Sequence, residues 1–280
     1  MKKILVPTDF SESATNAFTY ALTLANEINA SITLLHVVEV DLEILDLPIP
    51  SGAAFKVKKE AAEIAMHAQI ELATNQDNGS RDTLTKIETS VVVGNPITLI
   101  KSTAKDMDVA MIIMGARGKK RSGLQKLMGT RSCAIAEEAE HPVIIVPEGI
   151  PFKNIVQLAY ATELSHADSF ELWTALELIK PFSPIVRFVH VSLDGSAEEQ
   201  KKVEKMRKHI EAQNPALQLI FYQLFGKKID KELEEFIDKF DVDLLVIYHK
   251  SKSIWQRLFS RSHTKHLLSM VDVPVLVLKD

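Results

Sequence analysis

Cysteine is almost absent: Cys133 stands alone in 280 residues and cannot close a disulfide within the chain. That suits a reducing compartment. Long apolar runs are missing too. No window approaches the ~18 uncharged apolar residues of a membrane helix, so no span is expected. At the start, "MKKILVPTDF" offers an apolar run only from Ile4 to Pro7, too short for the core of a signal peptide. Nor is there an excess of positive charge. With 33 Lys and Arg against 37 Asp and Glu, the net charge is −4 and the pI about 6.2. This balance argues against general nucleic-acid binding. The expectation is a cytoplasmic protein with no nucleic-acid or membrane partner.

What is present is ordinary globular composition, 46% hydrophobic and 25% charged, at a length that suits two domains of ~140 residues. The chain reads as one unit written twice. "LVPTDFSES" (5–13) aligns with "AYATELSHA" (159–167) at a shift of 154, and the same shift lays His36-Val37 on His190-Val191. Farther along, Gly94 meets Gly226, "DMDVAMIIM" meets "DVDLLVIY", and Pro142 meets Pro274. The excursion "DLEILDLPIPSGAAFKV" of the first copy shrinks to "LDGSAEE" in the second. The expected boundary falls near Gly149-Ile150-Pro151, giving domains 1–149 and 150–280.

Within each copy strand-like and helix-like patterns alternate. "KILVP", "SITLLHVV", "KIETSVVVG", "VAMIIMG" and "PVIIVPE" read as strands. Residues 11–28, with Ser11 as N-cap, and residues 56–75 and 130–140 read as helices. Pro96 suits the first turn of another helix. The second copy repeats this, with strands near 154–160, 184–191, 217–224, 243–248 and 274–279. Apolar strands without a polar face, alternating with helices, predict a parallel sheet covered on both sides.

An open parallel sheet binds ligands beyond the carboxyl ends of its strands. "PTDFS", with Pro7, Thr8 and Asp9, leaves the first strand there. Met114-Gly115 leaves the fourth, opening "GARGKKRSGLQKLMGT" (115–130), which contains no acid. If those strands are neighbours, Asp9 and Gly115 share one crevice. Gly115 and Gly118 can take positive φ and let backbone N–H groups approach an anion without a Cβ in the way. Gly129-Thr130 starts a helix, whose N–H groups and dipole favour phosphate. Arg117, Lys119, Lys120, Arg121, Lys126 and Arg131 add attraction. A solvated basic loop explains the same residues, and the stretch is not a Walker A sequence.

The set "KILVPTDFS", "LLHV", "VVVGNP", "IIMGARG", "GT" and "HPVIIVP" resembles the universal stress protein family, over 1–148 and, in a degenerate copy, over 152–280. The resemblance implies an α/β fold of two tandem open five-stranded parallel-sheet sandwiches, adenine-nucleotide α-hydrolase-like or Rossmann-like, packed as a pseudo-dimer, with a homodimer as a further assembly. It implies ATP or AMP, with Asp9 near the nucleoside or Mg²⁺, Val37 on adenine, and phosphate and ribose at Gly115, Gly118, Gly129 and Thr130. Arg131 and Ser132 follow in the same helix start. The family spacing is Gly-x2-Gly-x9-Gly-(Ser/Thr), and here ten residues separate Gly118 from Gly129.

In the second copy His249, Lys252 and Ser260 replace the phosphate glycines and Glu163 replaces Asp9, so no nucleotide is expected there. Its basic "SRSHT" start reads more simply as a surface helix end, and His263 and His266 lack the partners of a zinc set. His36 and His190 read as repeat-related structural residues, and Cys133 as a packed thiol. No nucleophile–base–orienter set is visible. The expected function is therefore a stress sensor or adaptor rather than an efficient enzyme, with weak ATP hydrolysis at most. The alternative is a nucleotide-free protein-interaction or small-ligand module. The Asp41–Phe55 excursion suits a lid over the crevice, a surface detour, or a cover over a hydrophobic pocket for a lipid-like ligand.

Overall fold

The computed structural model describes residues 1–39, 52–76, 85–116, 130–162, 164, 168–192, 196–213, 218–226, 229–249 and 273–279. These fall into two compact units, one drawn from Met1 to Phe152 and the other from Lys153 onward. Phe152 stays with the first unit because its ring meets Tyr20 edge-on at 5.1 Å.

In the first unit β1 (Lys2–Thr8), β2 (Ala30–Val38), β3 (Ile87–Val93), β4 (Met111–Gly115) and β5 (Val143–Val146) form a parallel sheet in the order β3-β2-β1-β4-β5. Helices α1 (Glu12–Ile28), α2 (Gly52–Gln76), α3 (Pro96–Met107) and α4 (Thr130–Glu138) connect the strands. β1 and β4 are buried along nearly their whole length, as unbroken apolar runs require when helices cover both faces.

The helix ends follow the sequence. Ser11 caps α1 by accepting from the Ala14 amide at 3.1 Å, and Asn95 caps α3 ahead of Pro96 by accepting from Thr98 N at 3.1 Å. α2 starts four residues before the expected 56, at Gly52, because Ala53 and Ala54 favour helix. Residues 52–55 of the supposed lid thus open α2, and residues 41–51 lie outside the described residues.

The second unit repeats the plan with β6 (Gln157–Ala161), β7 (Ile185–Ser192), β8 (Leu219–Phe225), β9 (Leu244–His249) and β10 (Val275–Lys279), in the equivalent order β8-β7-β6-β9-β10. α5 (Asp168–Leu178), α6 (Ala197–Gln213) and α7 (Ile229–Lys239) accompany it. Its core is more aromatic: Tyr160 and Phe188 stack at 5.1 Å, and Phe188 reaches Phe221 at 5.0 Å.

The repeat extends to backbone conformation. Phe10 (φ 60°) and Leu164 (φ 61°) are both left-handed at the shift of 154, as are Asn29 (φ 53°) and Ser183 (φ 45°). Left-handed conformation is uncommon for side chains such as Phe and Leu. Its recurrence at equivalent places marks a shared tight turn after the first strand of each sheet.

Candidate functional site

In the first sheet β1 lies between β2 and β4. The chain therefore steps outward from β1 through β2 to β3, then crosses back through α3 to β4 on the other side, so the strand order reverses at β1. Such a switch point is where open α/β sheets hold ligands. Asp9 and Gly115 do share this end, as the neighbouring strands require.

The turn after β1 is built by short-range bonds. The Phe10 amide donates to Thr8 Oγ1 at 3.0 Å and the Ser11 amide to Asp9 Oδ1 at 3.1 Å. Thr8 Oγ1 in turn donates to Gln69 Oε1 at 3.0 Å, and Gln69 Nε2 donates to Thr15 Oγ1 at 3.0 Å, tying α2 to both β1 and α1. His36 stands opposite Thr8 in the β1–β2 register. Its Nδ1 lies 2.9 Å from the Thr8 carbonyl oxygen, and its ring lies 4.5 Å from that of Phe10. A carbonyl only accepts, so Nδ1 carries the proton.

Pro7 and Met114 are buried within β1 and β4. Val37 is half-buried next to the end of β2, paired with Val92, a position from which its side chain can present an apolar surface.

Gly115 does not use the positive φ open to a glycine. It ends β4 and is not among the positive-φ residues. Its missing Cβ instead makes room for α1: a Cβ there would meet the Ser13 hydroxyl first, and would stand 2.6 Å from the carbonyl oxygen of Ser13 and 2.7 Å from its carbonyl carbon. Glycine is needed here because α1 approaches closely, whether or not a ligand does.

α4 begins at Thr130, with no acid in its first turn. The Ser132 hydroxyl donates to the Gly115 carbonyl oxygen at 2.8 Å and is buried, which fixes the start of α4 to the end of β4. Arg131 reaches across to Glu39, just beyond β2: its Nη2 lies 2.7 Å from Oε1 and 2.8 Å from Oε2. Arg117, Gly118 and Gly129 lie outside the described residues, as does the side chain of Thr130. The described site thus unites Thr8, Asp9, Val37, Gly115, Arg131 and Ser132 at one end of one sheet.

Sequence reasoning missed three members. Glu39 is marked by being the first charge after an apolar strand. Gln69 is the polar intruder on the buried stripe Ala62, Met66, Gln69, Ala73 of α2. Ser13 shows no signal of its own, because its role is a close approach, by hydroxyl and backbone, to a residue about a hundred positions away.

In the second unit the turn recurs. The Leu164 amide donates to Thr162 Oγ1 at 2.7 Å and His190 Nδ1 lies 3.0 Å from the Thr162 carbonyl oxygen. There His190 Nε2 faces Glu199 Oε1 at 3.6 Å, and the Ser192 hydroxyl donates to Glu199. Glu163, Lys252 and Ser260 lie outside the described residues.

Among the described residues no helix is long and apolar enough to cross a membrane. The chain matches the family model described as "Universal stress protein family" over residues 1–147 and 174–279. It is 28% identical over 148 residues to Universal stress protein MJ0531 of Methanocaldococcus jannaschii, covering 52% of this chain and 81% of that protein. It is 29% identical over 154 residues to Universal stress protein MJ0577 of the same organism, covering 52% of this chain and 94% of that protein. A solved universal stress protein from Archaeoglobus fulgidus DSM 4304 superposes with a TM-score of 0.75 at 20% identity, covering 99% of this chain and 98% of that one. That last likeness speaks for the fold.

Proposed function

This chain belongs to the universal stress protein family, and from that premise we propose that its N-terminal unit binds an adenine nucleotide, ATP or AMP, as a stress sensor or adaptor. The observation that carries this reading is the meeting of three features at one switch point: the Thr8–Asp9 turn, Val37 at the end of β2, and an acid-free α4 start bearing Arg131.

These residues suit the ligand. A helix start without an acid presents unpaired N–H groups and a positive dipole end to phosphate. Arg131 adds a planar donor that matches phosphate oxygens. In this reading Val37 meets the adenine, Asp9 meets the ribose or a phosphate-borne Mg²⁺, and Gly118, Gly129 and Thr130 supply phosphate donors. Hydrolysis of ATP would break a phosphoanhydride bond with ADP leaving, and among the described residues no base and nucleophile are arranged to do this. The reading is therefore binding without efficient turnover. The second unit, whose sequence lacks the phosphate glycines, takes no nucleotide. A homodimer and a cytoplasmic location belong to the same reading.

One observation favours the alternative of a nucleotide-free interaction module. Arg131 already holds a carboxylate partner, Glu39. The test is to extract untreated protein with acid and assay the extract for adenine nucleotide by chromatography. The proposal expects nucleotide from the native protein and none from Gly129→Leu. Nucleotide-free native protein that also fails to take up added ATP or AMP would leave the alternative standing.

A further inference from the structure

We infer that Glu39 competes with phosphorylated ligands for Arg131, so that an anion must displace its carboxylate before Arg131 can engage it. This rests on the reading of the site as a nucleotide crevice.

The topology places the two residues on opposite sides of β1. Glu39 follows β2, on one flank. Arg131 lies in the first turn of α4, which the Ser132–Gly115 hydrogen bond anchors to β4 on the other flank. Their ion pair therefore bridges the carboxyl end of β1, where Thr8 and Asp9 lie. Asp9 is the less free of the two acids, since its Oδ1 accepts the Ser11 amide within the turn. Glu39 stands on the chain just past its strand, and its described partner is Arg131.

The strength of the bridge decides its role. A deeply buried pair would be a permanent strut, because separating it strands a charge away from water. Here both side chains are 48% exposed, and such pairs contribute little to stability. Water solvates both groups when they part. A phosphate offers Arg131 more charge and a geometry matched to its paired N–H donors, so it replaces the carboxylate favourably. A nucleoside without phosphate has nothing with which to compete. Glu39 thus lowers affinity for all phosphorylated ligands by the free energy of releasing Arg131, and leaves uncharged ones unaffected.

The test uses the full chain, with ATP, AMP and adenosine as probes in equilibrium titrations. The proteins compared are wild type, Glu39→Gln, Arg131→Ala and the double variant. Both residues are half-exposed, and matching circular dichroism melting curves would verify folding. Glu39→Gln should tighten ATP and AMP about two- to fivefold, the range expected of a half-exposed pair, without altering adenosine. The gain should shrink in the Arg131→Ala background. An equal gain in both backgrounds would mean that Glu39 acts by bare repulsion, and would overturn the inference. So would ATP binding that Glu39→Gln leaves unchanged or weakens. In those cases the nucleotide reading survives. If neither ATP nor AMP binds any of the four proteins, both fall.

Discussion

The Nδ1–H of His36 donates to the carbonyl oxygen of Thr8 at 2.9 Å, just where β1 gives way to the turn that carries Asp9. The same bond recurs at 3.0 Å between His190 and Thr162. In both units the residue two beyond the threonine is left-handed, and its amide returns to the threonine hydroxyl. The histidine, the threonine and the left-handed residue thus form one repeated device that shapes the turn after the first strand.

His36→Ala removes a hydrogen bond and a ring contact, and should destabilise the chain by about 1–2 kcal/mol. His190→Ala should cost more, about 2–3 kcal/mol, because His190 is buried and also faces Glu199. Urea denaturation followed by circular dichroism checks both. A His36→Ala protein as stable as wild type would show that the bond does not hold the turn.

Gly115→Ala places a Cβ against both the hydroxyl and the backbone carbonyl of Ser13. The expected loss is about 1–3 kcal/mol, the usual cost of overpacking. Removing the Ser13 side chain as well, in Ser13→Gly/Gly115→Ala, should not restore stability, because the obstructing carbonyl remains. Recovery in the double variant would place the clash on the side chain alone.

Ser132→Ala deletes the donor that ties α4 to the Gly115 carbonyl. A buried carbonyl left unpaired costs about 1–3 kcal/mol. The melting temperature should fall, and ATP affinity with it, because the helix start is no longer fixed over the crevice. A fall in stability with unchanged ATP affinity would separate α4 from the phosphate site.

The strands β3 and β8, each at an edge of its own sheet, differ in charge. β3 carries Glu88, whose carboxylate the Lys86 ammonium, 2.6 Å away, holds below the usual range. From Gln218 to Gly226, β8 carries no charge at all, and Ile220 and Phe225 are exposed. Uncharged edge strands invite pairing between chains. Ile220→Lys should therefore slow aggregation on heating, measured by light scattering, and unchanged aggregation would contradict this.

Much of the fold was legible in the residues because burial on both faces leaves strands such as "VAMIIMG" without a polar alternation, and because Ser11 and Asn95-Pro96 announce helix starts by the bonds their side chains make. The duplication was legible because turn geometry reuses the same residues: Thr8 and Thr162, His36 and His190. The site was legible as a neighbourhood rather than as a set of contacts. That Gly115 yields to Ser13, that Gln69 links three elements, and that Arg131 meets Glu39 all depend on approaches between segments far apart in the chain, which no local pattern encodes.

The most direct measurement is an equilibrium titration of the full chain with ATP, in wild type and in Gly129→Leu. The account predicts saturable binding of a single nucleotide per chain, abolished by the leucine because it replaces one of the glycines of the phosphate-binding pattern read in the sequence. Binding of two nucleotides per chain, or undiminished binding by Gly129→Leu, would contradict it.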